Sequence, residues 1–180
     1  QAYTVKLTAA GTQPEVKLNY NNAAVTVTSS VKSGAVNGKG VDAAYFSGSE
    51  TSKSVNSGTQ ATVNLTVQTG TALVASTNQV VVEYTVNGTP KSMTHAATAS
   101  ATQTVAIQET VNANTEIVVT GVKVQAKVTV AENSLDAATT TNLTGNATAT
   151  YNGKNKAAIE SEWLDVGSTV AVVVTVPGVS

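Results

Sequence analysis

The sequence predicts an all-β fold, a jelly-roll-like antiparallel β-sandwich with one short helical segment. Three observations predict it. Val and Thr, both β-branched strand formers, number 30 each among 180 residues. Turn signals recur about every 8 to 15 residues with strand-like runs between them, the spacing of sandwiches and barrels. Only one segment has a helical character, and a chain of this length holds one all-β domain with a real core.

The first strand is predicted at 3–8, where Tyr3, Val5 and Leu7 alternate with Thr4, Lys6 and Thr8, so one face is apolar and the other polar. Residues 9–14, with Gly11 and Pro14, read as a loop. Further strands are expected at 15–20, 24–29, 40–46, 59–68, 79–86, 90–95, 102–109, 116–130, 147–151 and 168–176. Val86-Asn87-Gly88-Thr89 is the sharpest local signal, because Asn-Gly supplies the two positive φ angles of a type I′ hairpin turn. Gly121 interrupts the long run at 116–130 and predicts a bulge or corner there. Residues 29–40, 47–58 and 131–144 are rich in Ser, Thr, Asn and Gly and read as loops. Helix formers at 155–164 place Ile159 and Trp163 at i, i+4, the spacing of one helix face. The final run, Val170-Ala171-Val172-Val173-Val174-Thr175-Val176, has almost no polar side and calls for burial on both faces.

Both ends therefore read as strands in search of neighbours. A short N-terminal strand on a tether either pairs within its own subunit or completes the sheet of the next one, which makes a domain into a link of a polymer. The second arrangement is the expectation: residues 1–14 as donor strand and linker, 15–180 as the sandwich domain, and identical subunits as partners.

Composition narrows the function classes. Ten basic residues against 11 acidic ones leave a net charge of −1, with no basic stripe to hold a phosphate backbone, so nucleic acid is not an expected partner. All the basic residues are lysines, so the planar bidentate fork for phosphate or carboxylate is missing. The absence of cysteine removes disulfides, thiolate metal sites and thiol nucleophiles. No stretch approaches the roughly 18 apolar residues of a membrane span. The start at Gln1 reads as the product of export and signal cleavage. Sequons at Asn64, Asn87, Asn142 and Asn146 agree with an exported chain, although an Asn- and Thr-rich sequence produces such matches by chance, and Thr89 is followed by Pro90.

Enzyme signatures are missing. His95 is the sole histidine, it sits in a strand-like context, and there is no G-x-S-x-G elbow, H-E-x-x-H or glycine-rich phosphate loop, so a structural or surface role is expected for it. Carboxylates remain: Glu160, Glu162 and Asp165 form one group, Glu132 and Asp136 another, with Asp42 and Glu50 at loop margins. Hard cations such as Ca²⁺ take oxygen ligands of this kind, so these residues are candidate Ca²⁺ ligands within or between subunits, against the plainer account of a solvated charge set. Two of them acting as a glycosidase pair would lack the aromatic platforms that grip sugars, since Trp163 stands alone and the tyrosines are scattered.

The start Gln1-Ala2-Tyr3-Thr4-Val5-Lys6-Leu7-Thr8, the cysteine-free Val/Thr-rich body and the acidic loops together resemble the cannula proteins of hyperthermophilic archaea, and after them the TasA-type biofilm fibre proteins. That resemblance implies a jelly-roll-like subunit that donates its N-terminal strand, with Tyr3, Val5 and Leu7 as donor positions and 11–14 as the crossing segment. It also implies calcium at subunit contacts of an extracellular tube or fibre. A monomeric adhesin or carbohydrate-binding sandwich, with both terminal strands buried at home, is the alternative expectation.

Overall fold

The computed structural model describes residues 23–37, 40–131 and 148–175. The expected strands at 3–8 and 15–20 lie outside the described residues. In chain order the elements are β1 (Ala24–Val31), β2 (Ala43–Phe46), β3 (Ser52–Asn56), β4 (Thr59–Gln68), β5 (Asn78–Val86), β6 (Thr89–Ala96), β7 (Thr102–Val111), β8 (Thr115–Ala126), β9 (Thr148–Tyr151), α1 (Lys156–Ser161), β10 (Leu164–Asp165) and β11 (Val172–Thr175).

The strands form an all-β sandwich. One sheet runs β3-β1-β8-β5-β6, with β10 added beside β8; the facing sheet runs β2-β4-β7; β9 and β11 make a separate two-stranded ribbon. Among the described strands every pairing is antiparallel except that of β1 with β8. The parallel pair arises because β1 enters the first sheet from outside the β5–β6 hairpin and docks on the free edge of β8, joining Val27 to Thr115 and Val31 to Val119.

Period-2 alternation decides which side chains enter the core. In β4 Ala61, Val63, Leu65 and Val67 point inward, and in β7 Val105, Ile107 and Val111 do so. They meet Val25 and Val27 of β1, Val80, Val82 and Tyr84 of β5, and Ile117, Val119, Val122 and Val124 of β8. The inward set of β8 changes from odd to even numbers because the pairing with β5 slips by one residue: Glu83 lies opposite Gly121 and Tyr84 opposite Val119. This bulge keeps four apolar residues facing the core, where a straight strand would have turned half of them outward. The break expected at Gly121 is therefore observed, though β8 ends at Ala126, short of the expected 130.

The hairpin expected at Asn87-Gly88 is present, with φ of 48° and 81° at the two central residues. It is also tied to β8, since Asn87 Oδ1 accepts from the Glu116 N–H at 2.8 Å and the Asn87 N–H donates to the Glu116 carbonyl at 2.9 Å.

Three expectations change. The supposed loop at 47–58 contains a 3-10 turn (Gly48–Glu50) and the strand β3, whose sequence Ser-Lys-Ser-Val-Asn is too polar to read as a strand but pairs along β1. The helix is six residues long, capped by Asn155 Oδ1 accepting from the Ala158 N–H at 2.9 Å, and it ends at Ser161, so Trp163 lies past it and does not share its face with the buried Ile159. Trp163 instead lies beneath the Lys127 ammonium, 5.0 Å from the ring centre. The C-terminal run is not buried on both faces: Val172, Val173 and Val174 are 56%, 57% and 60% exposed, because β11 pairs with β9 and not with either core sheet.

Leu65 is fully enclosed at the centre of β4, whereas its neighbour Thr66 faces outward. Leu65→Ala is expected to cost about 2–5 kcal/mol in urea denaturation, and Thr66→Ala to stay within about 0.5 kcal/mol; equal losses would contradict this placement of the core.

Candidate functional site

Asp165, Glu162 and Glu160, singled out in the sequence, are engaged by different partners. Asp165, on β10, accepts from Lys123 Nζ on Oδ2 and from Gln125 Nε2 on Oδ1, both at 2.8 Å, which fastens β10 to β8. Glu162 is paired with Lys154, and Glu160 Oε1 accepts from the Val130 N–H at 2.8 Å, holding α1 to the segment that follows β8. Asp42 stands apart, at the margin of β2, packed over Gly70, where no side chain would leave it room. Glu132 and Asp136 lie outside the described residues. Among the described residues no group of three or more His, Asp or Glu side chains is arranged to hold a metal ion. A calcium site takes about six or more converging oxygens, and the described carboxylates supply no cluster of three.

Other polar groups, unremarked in the sequence, hold the sandwich together. Glu109 points inward from β7 and is only 9% exposed; its Oε1 accepts from the Tyr84 hydroxyl at 2.9 Å and its Oε2 from Lys91 Nζ at 2.5 Å. Tyr84 and Lys91 are cross-strand partners on β5 and β6, so this carboxylate bridges the two sheets. Burial first, and the hydrogen bond to Glu109 second, push the Tyr84 phenol up to about 12. Gln103 is completely buried and uses its whole amide: Nε2 donates to the Thr98 and Ser100 carbonyls, while Oε1 accepts from the Thr98 N–H and hydroxyl. It shapes the turn from β6 into β7.

Glu50, in the 3-10 turn, accepts from Lys53 Nζ at 2.7 Å and from the Asn64 N–H at 2.8 Å. The Lys53 hydrogen bond, opposed in part by burial, holds the Glu50 carboxyl below its ordinary 4.5. The sequence marked 102–109 as a strand, but nothing local distinguished an inward Glu109 with partners from one at a strand margin.

Of the sequons, Asn64 lies mid-strand in β4 opposite Ala106 with its side chain half-covered on the outer face, and Asn87 occupies the hairpin turn. Asn142 and Asn146 lie outside the described residues, as do the donor positions Tyr3, Val5 and Leu7. His95 faces Val80 from β6, and its Nε2 is buried without a hydrogen-bond partner.

What stands out as unfinished is the β9–β11 ribbon. Val172, Val173 and Val174 present apolar surface on both of its faces. Fully burying an exposed valine is worth about 1.5–3 kcal/mol, so three more than half exposed in succession leave part of that stabilisation unrealised among the described residues. No helix among the described residues is long and apolar enough to cross a membrane. Comparison of the chain with family models, with curated proteins and with solved structures finds no match.

The raised Tyr84 phenol means that above its ordinary 10.0 the unfolded chain gives up this proton before the folded one does, so the stability it confers is present below pH 10 and lost as the pH rises toward about 12. Tyr84→Phe should flatten that alkaline decline in urea unfolding measured at pH 8 and pH 11. The lowered Glu50 acts at the other end: its contribution is present above pH 4.5 and lost as the pH falls through the folded value. Lys53→Met should weaken the pH dependence of stability between pH 5 and pH 3, and an unchanged acid profile would show that the pair contributes nothing.

Proposed function

We propose that the chain is a secreted structural protein that self-assembles into an extracellular tube or filament by strand complementation, with the segment around Tyr3, Val5 and Leu7 donated to a neighbouring copy. The observation that carries it is the bare valine run of β11 on a ribbon set apart from both core sheets. A folded subunit with β-branched surface exposed on both faces of a ribbon gains most by being covered, and a second subunit is the nearest source of matching strands. The N-terminal segment supplies such a strand, since its apolar residues all fall on one face.

Calcium enters this proposal as an ion between subunits. Asp165, Glu162 and Glu160 are each engaged by a lysine, an amide or a backbone N–H within their own subunit. In this reading a cation at a subunit contact draws ligands from two copies.

The monomeric adhesin or carbohydrate-binding module has one feature in its favour, an open groove lined by Thr26, Thr28, Asn87, Asn114, Thr115 and Glu116. Its hydroxyl and amide groups are of the kind that recognise polyols, but no aromatic platform lies among them.

Electron microscopy of the purified protein, with calcium and then with excess chelator, tests the proposal. Tubes or filaments are expected, together with monomers from a chain lacking residues 1–10. Filaments that persist in chelator keep strand complementation and remove calcium; monomers under both conditions transfer the function to the groove; filaments from the truncated chain remove the N-terminal segment as donor.

A further inference from the structure

We infer that the free edge of β7 is where a strand from a second copy adds, and that its occupant is residues 3–8 of that copy. This rests on the assembly proposed above and specifies which surface of the subunit receives the strand. An edge strand offers a row of unpaired N–H and C=O groups, and folded proteins guard such edges with short length, proline or lysine. The other edges of the two core sheets follow that rule. β3 has five residues and carries Lys53, β2 has four, and β6 carries Pro90 and Lys91. β7 does not follow it. It is 10 residues long, contains neither proline nor lysine, and among the described residues pairs with β4 alone.

Its two faces prescribe what can join it. The outward row is Thr102, Thr104, Ala106, Gln108 and Thr110, without a charge; the inward row includes the fully buried Val105 and Ile107. A strand added beside β7 must continue both rows, apolar inward and polar outward. Residues 3–8 have that pattern, with Tyr3, Val5 and Leu7 on one side and Thr4 and Thr8 flanking Lys6 on the other. They also fit the length, six residues against a ten-residue edge. Glu109, the one charge of β7, is already engaged from inside by Tyr84 and Lys91, which fixes the strand against the β5–β6 hairpin and holds its edge in place for a newcomer. The 14 residues from 9 to 22 reach at most about 45–50 Å when extended, enough to cross to another subunit.

The absence of cysteine makes the test direct. Lys6→Cys is combined in the full chain, in turn, with Thr104→Cys, Ala106→Cys and Gln108→Cys, all on the outward face of β7. Facing residues on adjacent strands bring Cβ atoms to about 4.5–5.5 Å, near disulfide range. Oxidation of the assembled protein is expected to give a ladder of covalent oligomers in at least one combination, collapsed by reductant. Mixing a chain bearing only Lys6→Cys with one bearing only the β7 cysteine should give covalent dimers. A disulfide-closed monomer in place of the ladder would show the segment on its own β7 and overturn the inference. Filaments visible by microscopy with no disulfide in any combination would overturn the edge assignment while leaving the polymer intact. Monomers by microscopy and no crosslink would overturn both.

Discussion

The sandwich depends on β8 being hydrogen-bonded along both edges. One edge belongs to β5 over nine residue pairs; the other is divided among β1, a single parallel bridge from Val36 to Val122, and β10. Three separate stretches of chain, from Ala24 to Asp165, therefore converge on one strand of 12 residues. A strand paired on both sides must satisfy neighbours on two edges and two faces at once. The one-residue slip at Gly121 is what permits that, by returning Val122 and Val124 to the core after Ile117 and Val119. Backbone bonds extend the arrangement beyond the regular pairs, with the Lys32 N–H on the Val119 carbonyl and the Val166 N–H on the Val124 carbonyl, both at 2.9 Å.

Polar groups inside the sandwich give the facing sheet its position. Hydrophobic contact alone is tolerant of sliding, whereas the Glu109 carboxylate between Tyr84 and Lys91 accepts one alignment of β7 against the hairpin. Gln103 does the same for the turn that leads into β7, with all four of its hydrogen bonds confined to residues 98 and 100. Both side chains occupy inward positions where an apolar residue would be expected, and both are satisfied, which is the condition under which a buried polar group sharpens a fold. On its other side, the same strand has an uncharged outward row and pairs with β4 alone among the described residues.

The ribbon of β9 and β11 belongs to a different regime. It packs its strands on each other and leaves three valines more than half exposed, while Val27, Val63, Val67, Val80, Val82, Val105 and Val119 of the core sheets are fully enclosed. The chain also places its acidic residues as local fasteners: Asp165 for β10, Glu160 for the helix, Glu50 for the turn before β3. Each of these charges is spent on a contact between neighbouring elements of the same chain.

Much of this was legible beforehand because it is local. Strand-forming composition with regularly spaced turn signals, Asn-Gly at 87–88 and the glycine at 121 each act within a few residues, and the sandwich class, the hairpin and the bulge follow from them. β3 was not legible, since Ser52-Lys53-Ser54-Val55-Asn56 is a strand by virtue of the edge of β1 and of nothing in its own residues. The parallel docking of β1 on β8 joins positions about 90 apart, and no local signal encodes which edge a strand will choose. The scattering of Glu160, Glu162 and Asp165 onto three different partners was hidden for the same reason: nearness in sequence does not bring carboxylates together when a short helix ends between them. By itself the sequence determined the kind of element and the face each strand buries, through side-chain shape and alternation. Tertiary structure decided which edges were paired, which inward polar group found a partner and which valines stayed bare, because those outcomes depend on contacts between residues far apart in the chain.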